Sequence, residues 1–282
     1  MYKEQIFDFE ALHDFFLQMR YVEIHRDDPG NKYESHVHPE CEIYLNLSGD
    51  VSFVVENRIY PILPGSMIIT RPYEYHHCVY HTNAPHKHFW ILFSAKGNEH
   101  LFPRFFDRQP GEENMLILPP EGQAELISLC HRMIDPPNTQ VDKLYQFLHL
   151  IHLMESADVV KHGNSTYPRD VELVLEWING HFAEAISIGD LASASHVSIN
   201  TLERHFAQVL HMSPTAYLKK KRLSHAAERL YAGESVMDAC MNSGFSDYSN
   251  FIALFKRTYG VTPLKYQKQV SGKNIKSNPG SF

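Results

Sequence analysis

Cysteine is scarce in this chain of 282 residues: Cys41, Cys78, Cys130 and Cys240 lie far apart, and no two form a C-x-x-C pair. Thiols so sparse and scattered exclude a zinc ribbon and a disulfide framework, and they fit a reducing cytoplasm. No apolar run approaches the roughly 18–20 residues that span a bilayer, so no membrane association is expected. The opening stretch MYKEQIFDFE is mixed and acidic, and no secretory signal is expected there. A Gly-rich phosphate loop and a G-x-S-x-G nucleophile motif are both missing, which removes two common routes to an enzymatic reading. Positive charge is also short overall, with 26 Lys/Arg against 33 Asp/Glu and a net charge of −7.

That deficit is uneven. From Thr166 onward 13 Lys/Arg face 10 Asp/Glu, a balance of +3, whereas residues 1–165 carry −10. The mildly basic half is the half suited to phosphate contact. An apolar fraction of 43% and a charged fraction of 21% are those of a globular chain, long enough for two or three domains.

Residues 20–95 read as β. The runs CEIYLNL, VSFVVEN, YPIL, SMIIT and HFWILFS are divided by turn residues at Ser48-Gly49-Asp50, Pro64-Gly65 and Arg71-Pro72, a spacing that predicts a small barrel or sandwich. Residues 97–120, with Gly97, Pro103, Pro110, Gly111 and Pro119-Pro120, read as irregular. Helices follow over Gln123–Ile134 and Thr139–Val159. The second carries a stripe of Val141, Leu144, Tyr145, Leu148, Ile151 and His152 that suits packing against the barrel, a dimer seam, or both. The polar segment VKHGNSTYPR, Val160–Arg169, is the expected linker. Beyond it the pattern is helical, including a long helix over Thr215–Ala232 with the basic run Lys219-Lys220-Lys221-Arg222. The tail from 271 to 282 is expected to be disordered.

The helical half repeats itself. Leu202, Phe206, Pro214 and Tyr217 recur 49 residues later as Phe251, Phe255, Pro263 and Tyr266, and Ile188 matches Val236. Two copies suggest paired modules rather than a solenoid. Each reads as a short helix, a tight turn and a second helix, the outline of a helix-turn-helix DNA reader. In the first, Ser198 is a natural N-cap for Ile199–Leu210, which buries Leu202, Phe206 and Val209 and leaves Asn200, Thr201, Glu203 and Arg204 outside. In the second, Gly244 supplies the positive φ of the turn, and Ser246 or Asp247 caps a helix that buries Phe251 and Phe255. Its outer positions are Tyr248, Ser249, Asn250 and Ile252, then Lys256 and Arg257.

The stretches IGDLASASHVSINTLERHFAQVLHMSPTAYL and SGFSDYSNFIALFKRTYGVTPLKY closely resemble the paired signature of the AraC/XylS family of transcriptional regulators, over roughly residues 170–268. The resemblance implies two recognition helices set into successive major grooves. Arg204 matches an arginine that contacts base or phosphate in the family, and Asn200, Glu203, Tyr248, Ser249, Asn250 and Ile252 fall on base-reading positions. Asn suits adenine, Arg suits guanine and Glu suits cytosine N4, while Lys256 and Arg257 suit phosphate. Ala253 departs from the arginine many relatives carry, His196 stands at a turn position usually held by a small residue, and Ser195 is polar where relatives are apolar.

The strand region resembles a cupin-like sensor barrel. His36-x-His38-x-x-x-Glu42, between Gly30 and Gly49, is similar to the first cupin motif. The run from Pro64-Gly65 to His76-His77 is similar to the second, with Leu63 in place of its usual first Pro. His36 and His38 share one face of a strand, where Glu42 and His76 would complete a nitrogen and oxygen metal site; the other reading is that these residues line an effector pocket. His88 and Trp90, two apart on the HFWILFS strand, should face the same interior. The family's sugar sensor carries a His and a Trp at matching places, and the pair suits stacking and hydrogen bonding to a sugar.

The expected fold is therefore α+β and multidomain. A cupin-like, jelly-roll-type β-barrel over 1–120 precedes a helical dimerisation segment over 121–159, a linker over 160–169 and an all-α DNA-binding domain with two helix-turn-helix motifs over 170–270. The expected function is a cytoplasmic, homodimeric, sequence-specific regulator, not an enzyme. It would act as an activator with RNA polymerase as partner and answer a small polar effector such as a sugar, held by His36, His38, Glu42, His76, His88 and Trp90. No cofactor is expected. The alternative is a divalent-metal cupin with a metal-sensing or enzymatic role, fused to the DNA reader.

Overall fold

Residues 15–24, 38–82, 84–135, 139–160 and 167–271 are described in the structure, a computed structural model of the chain. The N-terminal half holds the strands β1 (Leu17–Ile24), β2 (Cys41–Ser48), β3 (Val51–Val55), β4 (Arg58–Ile62), β5 (Ser66–Thr70), β6 (His76–Tyr80), β7 (His86–Phe93) and β8 (Met115–Ile117). A strand at the end of the helical segment, β9 (Asp158–Val159), returns to the same sheet. Six strands form one sheet in the order β1-β7-β2-β5-β8-β9, and three form a second in the order β4-β3-β6. The two sheets stack face to face through a buried layer that includes Tyr44 and Ile68 of the first and Phe53, Val55 and Tyr60 of the second. The expected barrel is thus a jelly-roll-type sandwich whose described strands do not close into a cylinder.

Strand alternation sorts the side chains. Ile43, Leu45, Met67, Ile69, Phe89, Ile91 and Phe93 point away from the sandwich interior into a core shared with the helices α2 (Pro120–Ile134) and α3 (Gln140–Glu155). Glu42, Tyr44, Asn46, Ser66, Ile68, Thr70, His86, His88 and Trp90 fall on the opposite, inward face. The stripe read on α3 is not the face that packs on the sheet: none of Val141, Leu144, Tyr145, Leu148, Ile151 and His152 is fully buried, and the buried face is made by residues outside it. Phe147, Leu150 and Met154 are buried against the sheet, whereas Val141, Tyr145 and Leu148 are 75%, 70% and 51% exposed. The expected helix over Thr139–Val159 stops at Glu155, because Asp158 and Val159 pair with β8. The span 97–120 is less irregular than expected, since it contains the short helix α1 (Pro103–Phe106) and β8.

The C-terminal half is helical: α4 (Arg169–His181), α5 (Ile188–Ala194), α6 (Ile199–Leu210), α7 (Pro214–Tyr231), α8 (Val236–Asn242), α9 (Tyr248–Tyr259) and α10 (Pro263–Ser271). One apolar core joins Val174 and Ile178 of α4, Leu202 and Phe206 of α6, Leu223 and Leu230 of α7, and Phe251 and Phe255 of α9. Residues 161–166 of the expected linker and 272–282 of the expected tail lie outside the described residues.

Candidate functional site

Each reader module is built from a cap, a left-handed turn and an amphipathic helix. Ser198 Oγ accepts from the Thr201 amide at 3.2 Å, and Asp247 Oδ1 accepts from the Asn250 amide at 2.9 Å; both satisfy N–H groups that a helix start leaves orphaned. His196 (φ 59°) and Gly244 (φ 82°) close the two turns in the left-handed region. Only glycine fits the second turn, because a Cβ there would sit 2.8 Å from the Phe182 carbonyl oxygen. The polar Ser195 is buried yet satisfied, since its Oγ donates to the Leu191 carbonyl at 3.0 Å. His205, on the inner side of α6, is tied by Nδ1 to Asp170 of α4 at 2.8 and 2.9 Å, which fixes the recognition helix against its support.

The outward positions divide by exposure. Asn200, Glu203 and Arg204 on α6, and Tyr248, Ser249, Asn250, Lys256 and Arg257 on α9, are exposed. Thr201 is half-buried, with its hydroxyl 2.9 Å from Ser198 Oγ. Ile252 is half-buried and packs on the apolar core, so less of it than of its neighbours is free to meet a base.

The second cluster lies inside the sandwich. Glu42 Oε2 is 3.0 Å from His38 Nε2 and 3.3 Å from His76 Nε2. Each imidazole is oriented from its other side, His38 Nδ1 donating to the Glu40 carbonyl at 3.0 Å and His76 Nδ1 to the Glu74 carbonyl at 2.7 Å. Burial opposes ionisation of Glu42, but the charge of His76 and hydrogen bonds from His38 and His76 outweigh it and hold the carboxyl well below its ordinary range. Burial likewise disfavours charge on His76, and Glu42 reverses that and raises it. The ligand atoms of His38, Glu42 and His76 lie within 4.8 Å of one another. With Nδ1 committed to backbone carbonyls, both Nε2 atoms converge on one point beside a carboxylate. That donor set suits a borderline divalent metal as well as a polar ligand. His36 lies outside the described residues.

Deeper along the same face, the His88 ring stacks on Tyr44 at 4.4 Å and on His86 at 4.9 Å, and the Tyr44 hydroxyl is hydrogen-bonded to His86 Nε2. Burial pushes His88 down to about 3 and His86 to about 4, so both rings are neutral at physiological pH. Trp90 shares the face but is only half-buried, with the Arg20 guanidinium 5.3 Å above its ring. Four buried polar atoms on these inward positions, Asn46 Oδ1, Ser66 Oγ, Thr70 Oγ1 and His88 Nδ1, have no hydrogen-bond partner among the described residues. Tyr44, Asn46, Ser66, Thr70 and His86 were not singled out from sequence. The period-two runs Glu42-x-Tyr44-x-Asn46 and His86-x-His88-x-Trp90 carried the signal.

Comparison with known proteins agrees with both halves. Residues 21–155 match the family model of the AraC-like ligand binding domain, and residues 191–269 match that of a helix-turn-helix domain. The chain is 24% identical over 246 residues to the HTH-type transcriptional activator RhaS of Citrobacter koseri, a match spanning 83% of this chain and 87% of that protein. It is 29% identical over 144 residues to the activator RhaS of Escherichia coli O157:H7, which covers 51% of this chain and 48% of the relative. Among solved structures, ToxT from Vibrio cholerae O395 aligns over 91% of this chain and 99% of its own at 13% identity. Its TM-score of 0.37 is too low to carry an argument. A ligand-binding sandwich of AraC type, joined to two capped helix-turn-helix modules with exposed polar outer faces, makes this chain a member of the AraC family of DNA-binding transcriptional regulators.

Proposed function

We propose that the chain is a cytoplasmic transcriptional activator controlled by a small, uncharged, hydroxyl-rich effector of the sugar class bound between the two sheets. The observation that carries this reading is the set of four unpartnered polar atoms on the inward face. A buried polar atom left without a partner costs about 1–3 kcal/mol, and a polyol threaded between the sheets would satisfy several at once. The neutral imidazole of His88, the amide of Asn46 and the hydroxyls of Ser66 and Thr70 donate and accept without demanding a charged ligand. Trp90, only half-buried, offers an aromatic face for the apolar side of a sugar ring. Activation is supported by the relatives named as activators, and RNA polymerase is the partner proposed for that mode. No catalytic role is proposed.

The effector is proposed to shift the balance between two arrangements of sensor and reader, changing which DNA half-sites a homodimer can span. A thermal-shift screen of sugars on the full chain tests the ligand class. One sugar class should stabilise the protein, and His88→Ala or Trp90→Ala should abolish the shift; a screen in which only charged metabolites stabilise would overturn it. Operator-spacing preference, measured with and without the stabilising sugar, tests the switch, which fails if the preference does not move.

The convergence of His38 Nε2, Glu42 Oε2 and His76 Nε2 favours a second reading, a divalent metal held by these three side chains. Such an ion would supply a Lewis-acidic anchor for an effector oxygen. Elemental analysis of untagged protein decides: stoichiometric metal lost in His38→Ala supports this reading, and metal-free protein removes it.

A further inference from the structure

The outer face of the three-stranded sheet is covered by the reader half. Val54 of β3, Ile59 of β4, and Tyr75 and Val79 beside and within β6 belong to the same buried cluster as Val171 and Val174 of α4 and Tyr217 and Leu218 of α7. Polar contacts frame this seam. Ser52 Oγ is hydrogen-bonded to the Tyr167 hydroxyl, the Tyr73 and Tyr231 rings meet at a tilt with centroids 4.8 Å apart, and Lys96 lies 6.0 Å over the same Tyr231 ring. At its centre sits Glu56, in the turn between β3 and β4. Its Oε1 accepts from the Tyr75 amide at 2.8 Å, its Oε2 is paired with Lys221 Nζ, and its backbone carbonyl accepts from the Tyr217 hydroxyl. Glu56 is 7% exposed and Lys221 8%.

Two features distinguish this contact from ordinary packing. Glu56 holds φ at 53°, the left-handed conformation that the first residue of a two-residue hairpin turn requires, so the β3–β4 turn itself fixes the backbone from which its carboxylate and carbonyl reach α7. Both charges of the pair are out of water, so either one alone would be uncompensated wherever the other departs. The seam is therefore all-or-none: Glu56 and Lys221 are satisfied together when docked and hydrated separately when apart. β6 links it to the effector cluster, because one strand carries His76 inward against Glu42 and His77 outward, with its ring 6.3 Å from Tyr217.

We propose that Glu56 is an interdomain latch, pairing with Lys221 and Tyr217 of α7 to hold the reader half docked on the sensor sheet as one body. α7 connects the two helix-turn-helix modules, so whatever fixes α7 fixes where both recognition helices stand relative to the sensor. The inference rests on the two-arrangement reading above. Its test uses no effector, so its failure and the failure of the sugar reading are separate results.

The experiment is single-molecule energy transfer on the full chain, labelled at Leu63→Cys in the sensor and Met237→Cys in the reader, both exposed positions; three of the four native cysteines are buried and Cys78 is half-buried. Wild type and the charge-conserving Lys221→Arg should give one narrow population. Lys221→Met and Glu56→Gln should each raise a second, separated population at least tenfold, with helical content unchanged. Tyr217→Phe, which removes only the hydroxyl bond, should raise it less and serves as the readout if Lys221→Met fails to fold. A single unchanged population in Glu56→Gln and Tyr217→Phe overturns the latch, as does separation in Lys221→Arg equal to that in Lys221→Met.

Discussion

Arg204 and His88 define what single side chains should do. Arg204 is exposed on α6, one position beyond Glu203, and belongs to a helix held from behind by the Asp170–His205 bond. Arg204→Ala should weaken binding to a specific operator by about 1–3 kcal/mol and relax preference at one base pair. Equal loss on unrelated duplexes would mean that Arg204 touches only phosphate. His88 titrates in the opposite sense to His76. An imidazole whose folded value lies at about 3, against 6.5 when free, takes up its proton on unfolding. The stability it permits is therefore complete above pH 6.5 and falls as the pH drops toward 3. His76, raised by Glu42, contributes stability below pH 6.5 that is lost as the pH climbs through its folded value. Comparing His88→Gln with wild type cancels the His76 contribution. Between pH 7 and pH 5, wild type should lose about 2 kcal/mol more than the variant in urea unfolding. Parallel stability curves would show that His88 is not held neutral.

Among the elements, the reader helices were legible because local rules decide them. Ser198 as cap, the Leu202-Phe206-Val209 stripe and the φ demand at Gly244 each follow from near neighbours, and α6 falls on the residues expected of it. Gly244→Ala should cost about 2–3 kcal/mol, since the new Cβ meets backbone of Phe182 and Ala183 within 3 Å in a left-handed turn. Chemical denaturation measures it, and a loss below 0.5 kcal/mol would mean the turn yields. The sandwich interior was legible in part. Glu42, His76 and His88 stood out as histidine-rich motifs, whereas Asn46, Ser66 and Thr70 are ordinary strand residues until pairing with a neighbouring strand turns them inward. Least visible was the reader's dock. Ser52 and Val54 look like strand residues, and Lys221 looks like one member of a basic run. Nothing local says that Glu56, 165 positions earlier, is its partner. The same holds for Arg108, which is buried against Glu74 at 2.7 Å in a stretch that reads as loop.

At the scale of the whole molecule, the distribution of covered surfaces among the described residues leaves one face open. The large sheet is covered on its outer side by α2 and α3, and the small sheet by the reader, while Val141, Tyr145 and Leu148 form an i, i+4, i+7 stripe open to solvent on α3. A two-fold axis through this stripe would pack it on its own copy, the self-complementary arrangement that most soluble dimers use. Two readers per chain would then become four per dimer, each pair carried at a separation set by the dock. Leu148→Lys tests this at little risk to the fold, because the side chain is half in water and its loss should change monomer stability by no more than about 0.5 kcal/mol. The variant should sediment with half the wild-type mass and bind a single half-site duplex unchanged. On an operator with two half-sites it should lose the gain from linked binding, of the order of a hundredfold. Wild-type mass in Leu148→Lys would place the dimer contact elsewhere. Monomeric mass with undiminished two-site binding would mean that one chain, docked as it is, already spans the operator alone.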